Sequence, residues 1–207
     1  MAEIIAGVER SAKFEIINGV VNMVPPGTPD HASISGNAYN SFYNYFKGRK
    51  CKVYHDNNWL RLDIIKKKQG MDLPEKDKVI PDIMVVCDRS MDTPEGVTGA
   101  PALIAEVLSP STQKKDRTYK KDMYELIGVP EYWIISPGDK SVEIYILAGG
   151  KYELRHVYRK FTEDELRWFE EGIREKPDEL AQEFSPCTFP DLKIKIDDIF
   201  YDLIGGD

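Results

Sequence analysis

Apolar and polar positions change period several times along the chain, and each change marks an element. Phe14–Ile17 and Val20–Val24 flank Asn18-Gly19. That dipeptide is a strong hairpin signal, because both residues tolerate the positive φ of a type I′ turn. Pro25-Pro26-Gly27 stops the second strand. Thr28 or Asp30 can then cap a helix to about Phe46, with Ile34, Ala38, Phe42 and Tyr45 on one side. Short strands are expected near Cys51–His55 and Asn58–Ile64, then a loop over Lys66–Lys78. Ile80–Cys87 reads as a strand with a buried character, and Ala102–Leu108 as an apolar strand interrupted by one acid. Ser109-Pro110-Ser111-Thr112 carries loop and cap chemistry, and a helix runs on to about Ile127, where Gly128 and Pro130 end it.

Glu131–Ser136 is the next strand, so strand, helix and strand predict a right-handed βαβ unit. A hairpin follows over Val142–Leu147 and Tyr152–Tyr158, turning at Gly149-Gly150. Glu163–Phe184 reads as an acidic helix, and Leu192–Ile204 closes the chain with Ile196, Ile199, Phe200 and Leu203 at helical spacing. The expected class is α/β (α+β): one domain over 1–207, with a mixed central sheet flanked by helices and an N-terminal β-hairpin. A helical insertion is expected at about 161–187.

Composition narrows the class without naming a function. The 207 residues carry a net charge of −7, with 42% hydrophobic and 30% charged positions. That is an ordinary globular balance, not a disordered chain or a disulfide scaffold. No apolar run approaches the roughly 20 residues of a membrane helix, and the first residues lack a secretory layout, so the expected location is cytoplasmic with no membrane partner. Cys51, Cys87 and Cys187 share no ligand-like spacing and are expected as free thiols. The negative charge is concentrated: residues 161–187 hold nine acids against three bases. Elsewhere bases cluster at Lys47–Lys52, at Lys66–Lys68 and at Lys114–Lys121. Such clusters permit a nucleic-acid partner, although a solvated face is the commoner use of them.

Two acids stand among unsuitable neighbours. Asp82 opens the run Ile83–Cys87, and Glu106 interrupts Ala102–Leu108. A carboxylate facing a core costs several kcal/mol unless it is paired or binds a metal. On adjacent strands the two would repel unless a divalent cation sat between them, and hard oxygen ligands suit Mg²⁺ or Mn²⁺. The bland alternative has each acid facing solvent or accepting a helix-terminal N–H. Lys120 lies about 9–12 Å back along the returning helix, level with Glu106 at roughly 7–10 Å back along its strand. It shares a helix face with Asp116 and Tyr124. Its own bland reading is a surface lysine with an apolar stem.

Phe14–Gly19 with His31, Ile80-Pro81-Asp82, Ala105–Thr112, Asp116 with Lys120 and Tyr124, and Gly128–Trp133 together resemble the Uma2 family. The resemblance spans roughly Phe14 to Tyr158. It implies the restriction endonuclease-like, PD-(D/E)XK nuclease fold and a Mg²⁺- or Mn²⁺-dependent endonuclease, acting on DNA rather than RNA, with a homodimer as one option. Residue by residue it implies Asp82 and Glu106 as catalytic metal ligands and Lys120 as the catalytic lysine. That lysine has migrated, since Leu108 holds the usual position two residues after the acid. Glu15 and His31 are auxiliary candidates beside Asp116 and Tyr124; His31 is equally open to a structural role. Lys114, Lys115 and Arg117 are candidates for phosphate contacts. The alternative is a non-catalytic nucleic-acid- or protein-binding module on the same scaffold.

Overall fold

The computed structural model describes residues 13–70, 77–175, 177 and 180–204. Strands β1 (Phe14–Ile17) and β2 (Val20–Met23) form the expected hairpin, with Asn18 and Gly19 at φ 52° and 73°. Helix α1 (Pro29–Phe46) starts where the Thr28 hydroxyl accepts from the His31 N–H at 3.2 Å. It buries Ile34, Ser35, Ala38, Phe42 and Phe46, so Phe46 takes the place expected of Tyr45. Strand β3 (Lys52–His55) follows.

The expected strand at Asn58–Ile64 is replaced by helix α2 (Leu62–Lys68). Trp59-Leu60-Arg61-Leu62 alternates like a strand, but only Leu60 makes β-bridges, to Val79 and Val97. Beyond it Leu62, Ile65 and Lys66 repeat at helical spacing and are buried. The expected loop therefore begins after Lys68, and residues 71–76 lie outside the described residues. Lys66 is not on a solvated face: its ammonium lies 3.6 Å from Asp77 in the interior.

Strands β4 (Ile83–Val86), β5 (Asp92–Thr93), β6 (Gly96–Val97) and β7 (Leu103–Val107) come next. After α3 (Gln113–Lys115) the helix widens into a π turn (Asp116–Lys120), then continues as α4 (Lys121–Leu126). Gly128, at φ 83°, leaves it in the left-handed conformation. Strand β8 (Glu131–Ser136) and the hairpin β9 (Ser141–Ala148)–β10 (Lys151–Arg159) follow as expected. The acidic stretch folds as helix α5 (Glu163–Glu170), which ends well before Phe184. Its Thr162–Glu165 capping box is the start signal. Strands β11 (Glu183–Phe184) and β12 (Ile194–Lys195) and helix α6 (Ile196–Ile199) close the described chain.

The main sheet has the order β10-β9-β8-β7-β4-β3, and only β7 and β8 run parallel. Alternation along β4 sends Ile83 and Val85 to one core and Met84 and Val86 to the other. The first core is covered by α1 and the C-terminal segment, the second by α2 and α4. Covering both faces is why these strands read as unbroken apolar runs.

Two features correct or extend the sequence reading. Cys51 and Cys87 are joined in a disulfide, so the expectation of three free thiols fails; Cys187 is free and exposed. The β3–β4 register pairs Lys52 with Val86, which sets Cys51 opposite Cys87, a proximity that a separation of 36 residues conceals. Replacing both with serine should lower stability by about 2–4 kcal/mol, read as a fall in the urea midpoint. Glu131 is a further buried acid, absent, like Asp77, from the sequence-derived candidates. It accepts from Trp133 Nε1 at 2.7 Å and from the Cys187 and Thr188 N–H groups at 3.1 and 2.6 Å. All of its partners are neutral donors, so it holds the C-terminal segment to the sheet. Glu131→Ala should cost about 2–4 kcal/mol by stranding those donors, checked by the same denaturation. Among the described residues no helix is long and apolar enough to cross a membrane.

Candidate active site

The β4–β7 ladder pairs Ile83 with Ala105 and Met84 with Ile104. One step further along this antiparallel register, Asp82 faces Glu106, and the Asp82 N–H points to Glu106 Oε2 at 3.4 Å. Strand alternation puts Glu106 on the face of Ile104 and Leu108, under α4. There Lys120 Nζ lies 3.1 Å from Glu106 Oε1, 3.0 Å from Glu15 Oε1 and 3.4 Å from Asp116 Oδ1. The Tyr124 hydroxyl donates to Glu106 Oε1 at 2.6 Å. Asp116, Lys120 and Tyr124 stand one turn apart, which is why a single helix delivers all three. The π turn covers Asp116 to Lys120, and local widening of this kind often accompanies functional sites.

Glu15 reaches the cluster from the hairpin and is held by the Ile80 N–H at 3.0 Å. Glu15, Glu106, Asp116 and Lys120 are all buried, whereas the Asp82 side chain keeps 17% of its surface exposed and so forms the rim. Asp82 Oδ2 accepts from the Val107 N–H at 2.8 Å and lies 3.3 Å from His31 Nε2. His31 sits in the first turn of α1, close against Gly27, where a Cβ would come within 2.8 Å of its Nδ1. The structure thus brings together Asp82, Glu106, Lys120, Glu15, His31, Asp116 and Tyr124. It does not bring in Lys114, which is exposed, or Arg117, whose guanidinium is 2.8 Å from Glu143. Lys115 lies beside the hairpin and donates to Asn22 Oδ1 at 3.1 Å.

The electrostatics follow from four carboxylates around one ammonium. Burial opposes the charged form of Lys120, but Glu106, Glu15, Asp116 and Asp82 outweigh it and hold its pKa well above the ordinary lysine value. Burial pushes Glu106 and Asp116 up, with the neighbouring acids adding and Lys120 opposing. Asp82 goes the other way: burial would raise it, yet His31, Lys120 and the Val107 N–H bring it below the usual carboxylate value. Burial likewise disfavours the His31 imidazolium, but Asp82 and its neighbours raise its pKa above 6.5. Asp116 Oδ1 is buried, with the Lys120 ammonium at 3.4 Å as its neighbour and no other hydrogen-bond partner. The cluster is therefore rich in oxygen donors and short of positive charge.

Sequence reasoning missed the groove wall next to this cluster. Ser111 and Thr112, expected as loop and cap residues, line a groove with Glu15 and Lys115. Hydroxyls directly ahead of a basic helix were the available signal.

The chain is similar to known proteins. An uncharacterized protein, slr1290, from Synechocystis sp. (strain ATCC 27184 / PCC 6803 / Kazusa) is 27% identical over 135 residues. The match covers 64% of this chain and 65% of that protein, so the two align over less than two thirds of the relative. The crystal structure of a protein described as a "putative nuclease belonging to DUF820" from Anabaena variabilis ATCC 29413 superposes with a TM-score of 0.60. It covers 91% of this chain and 89% of its own at 17% identity, which shows a shared fold. The restriction endonuclease-like class expected from the sequence is the fold observed. Residues 2–174 match the Uma2 family, described as "Putative restriction endonuclease", further than the expected limit at Tyr158. With every member of the Lys120 cluster inside that match, this chain belongs to the Uma2 family.

Proposed function

We propose that this protein is a metal-dependent nuclease that hydrolyses phosphodiester bonds, in DNA rather than RNA. The observation that carries this reading is the convergence of Glu15, Glu106 and Asp116 on Lys120, with Asp82 beside them. Three acids touching a single ammonium leave a buried surplus of negative charge, which a divalent cation would offset.

The donor set fits a hard ion. Among the described residues no group of three or more His, Cys, Asp or Glu stands ready to hold a metal. Mg²⁺, however, is commonly held by one or two carboxylates together with substrate phosphate and water. Asp82 and Glu106 would hold it, with Glu15 and Asp116 as auxiliaries. When bound, Mg²⁺ or Mn²⁺ supplies Lewis-acid stabilisation of the phosphate and acidifies a water. The chain's own contribution is orientation and charge. Lys120 orients the attacking water and stabilises the charge that builds on the phosphoryl oxygens. Tyr124 orients Glu106. His31 and the Val107 N–H orient Asp82.

The DNA preference draws on the family description. The cytoplasm is the location this reading favours, and the Cys51–Cys87 disulfide is the feature at odds with it, since that compartment keeps thiols reduced. A homodimer would let two copies address two strands, and sedimentation measures it. The central test is cleavage of plasmid and oligonucleotide DNA in Mg²⁺ or Mn²⁺ against EDTA. Cleavage only with metal is expected; cleavage unaffected by EDTA overturns the metal role.

A separate observation favours a non-catalytic binding module on this scaffold. Both Glu106 oxygens already have protein partners, Oε1 from Lys120 and Tyr124 and Oε2 from the Asp82 N–H. Calorimetric titration with Mn²⁺ separates the two readings: heat of binding lost in Asp82→Asn supports the nuclease, and no binding at millimolar metal supports the module.

A further inference from the structure

A groove of about 360 Å³ opens beside the cluster, within the range of ligand sites. Glu15 belongs to both, so whatever fills the groove lies next to the reacting phosphate of the proposed nuclease, on which this inference rests. One side comes from the end of the hairpin, Met23, Val24 and Pro25, and is mostly aliphatic. The other comes from Ser111, Thr112 and Lys115 and carries hydroxyls and an ammonium. Lys115 gives one proton to Asn22 Oδ1 and keeps two for a ligand. Met23 is 52% exposed, and Val21, two residues back on the same face of the strand, is exposed as well.

The groove is preformed. The Gly19 N–H and the Tyr119 hydroxyl both donate to Asp77, at 3.0 and 3.1 Å. Ile16 and Lys78 exchange backbone hydrogen bonds at 2.8 and 3.0 Å. These bonds tie the hairpin to the π turn, so the two sides are held in place before any ligand arrives.

An aliphatic side facing an ammonium and hydroxyls matches the two halves of a nucleotide. Its base and sugar present flat or apolar surface, and its phosphate is an anion. A groove of this volume is the size of a single nucleotide. We infer that it holds the nucleotide adjoining the scissile phosphate in an unpaired state, its base or sugar on Met23, Val24 and Pro25 and its phosphate at Lys115, Ser111 and Thr112. Single-stranded or extrahelical segments are then the favoured substrate. Single strands are held without base-specific contacts by a cationic track beside a stacking surface, usually aromatic, and here Met23, Val24 and Pro25 take that place.

The test is a titration of the full chain in EDTA, read by fluorescence anisotropy. The probes are a short fluorescein-labelled DNA strand, the same strand in RNA, the DNA duplex, and the DNA strand with one abasic position. The single strand should bind about tenfold more tightly than the duplex. Lys115→Ala should weaken it several-fold and reduce the salt slope by about one. Met23→Ala should weaken the intact strand several-fold and the abasic strand little. Neither side chain is buried, so the fold should tolerate both changes. Whichever of DNA and RNA binds more tightly identifies the source of the nucleotide. Tighter binding of the duplex, or wild-type affinity in both variants, overturns the groove assignment. Cleavage with Mn²⁺ is scored on the same proteins. Duplex cleavage that both variants retain in full removes the groove and leaves the nuclease; single-strand preference without any cleavage removes the nuclease and leaves the groove.

Discussion

Lys120→Met should destabilise the fold by about 3–5 kcal/mol, the cost of leaving buried charges without their partner. The ammonium touches Glu15, Glu106 and Asp116, and methionine fills a similar volume with no charge. The loss should depend on pH in a definite direction. Glu106 and Asp116 already titrate above their ordinary values because of burial. Without Lys120 their folded pKa values rise further above those of the unfolded chain. A carboxyl whose folded pKa is raised costs nothing while both states are protonated, and it destabilises increasingly as pH climbs past the unfolded value near ~4. The gap between variant and wild type should therefore widen from pH 5 to pH 8 in urea melts. Adding Glu106→Gln to Lys120→Met should recover part of the loss, because it removes one of the stranded charges. A Lys120→Met protein as stable as wild type at pH 8 would show that the ammonium is not the counter-ion of this cluster.

Asp82→Asn and Glu106→Gln should each lower metal-dependent cleavage by about 10³-fold, equivalent to ~4 kcal/mol of barrier. Both replacements keep the side-chain shape while removing the charge that would hold the cation. Their stability effects should differ, which separates chemistry from folding. Asp82 lies at the rim with His31 and the Val107 N–H as partners, and loses charge-assisted bonds on neutralisation. Glu106 is interior and already raised by burial, so Glu106→Gln removes a surplus charge and should be mild or neutral in the melt. Cleavage that persists in both variants with metal present would reject this cluster as the active site. Loss of cleavage alongside unchanged Mn²⁺ binding would place the metal elsewhere.

Much of this arrangement is legible along the chain. Asn18-Gly19 specified the first hairpin and Gly149-Gly150 the last, because both need backbone conformations that few residues accept. The i, i+4 spacing of Asp116, Lys120 and Tyr124 put three groups on one helix face, and an acid within Ala102–Leu108 marked a position to be paired, bound or turned to solvent, which the structure fills with Lys120 and Tyr124. Leu62–Lys68 was misread because its approach alternates like a strand; the helix wins through burial of Leu62 and Ile65, which is a tertiary contact. Glu131 was missed because an acid at the first position of a strand looks like a strand end facing solvent. It is the C-terminal segment, more than fifty residues later, that buries it.

Taken alone, the order of residues determined most of the elements, the buried character of the central strands, and that Asp82 and Glu106 stand among unsuitable neighbours. Those properties depend on local backbone preference and on the period of apolar positions, both written within a few residues. Only the folded molecule decided that Asp82 faces Glu106, that Glu15 joins them from the hairpin, that Cys51 meets Cys87, and that Met23 and Lys115 share a groove. Each of these depends on the register of strands or the docking of a helix. Such choices are made by total packing between distant segments, and no short window of sequence contains them.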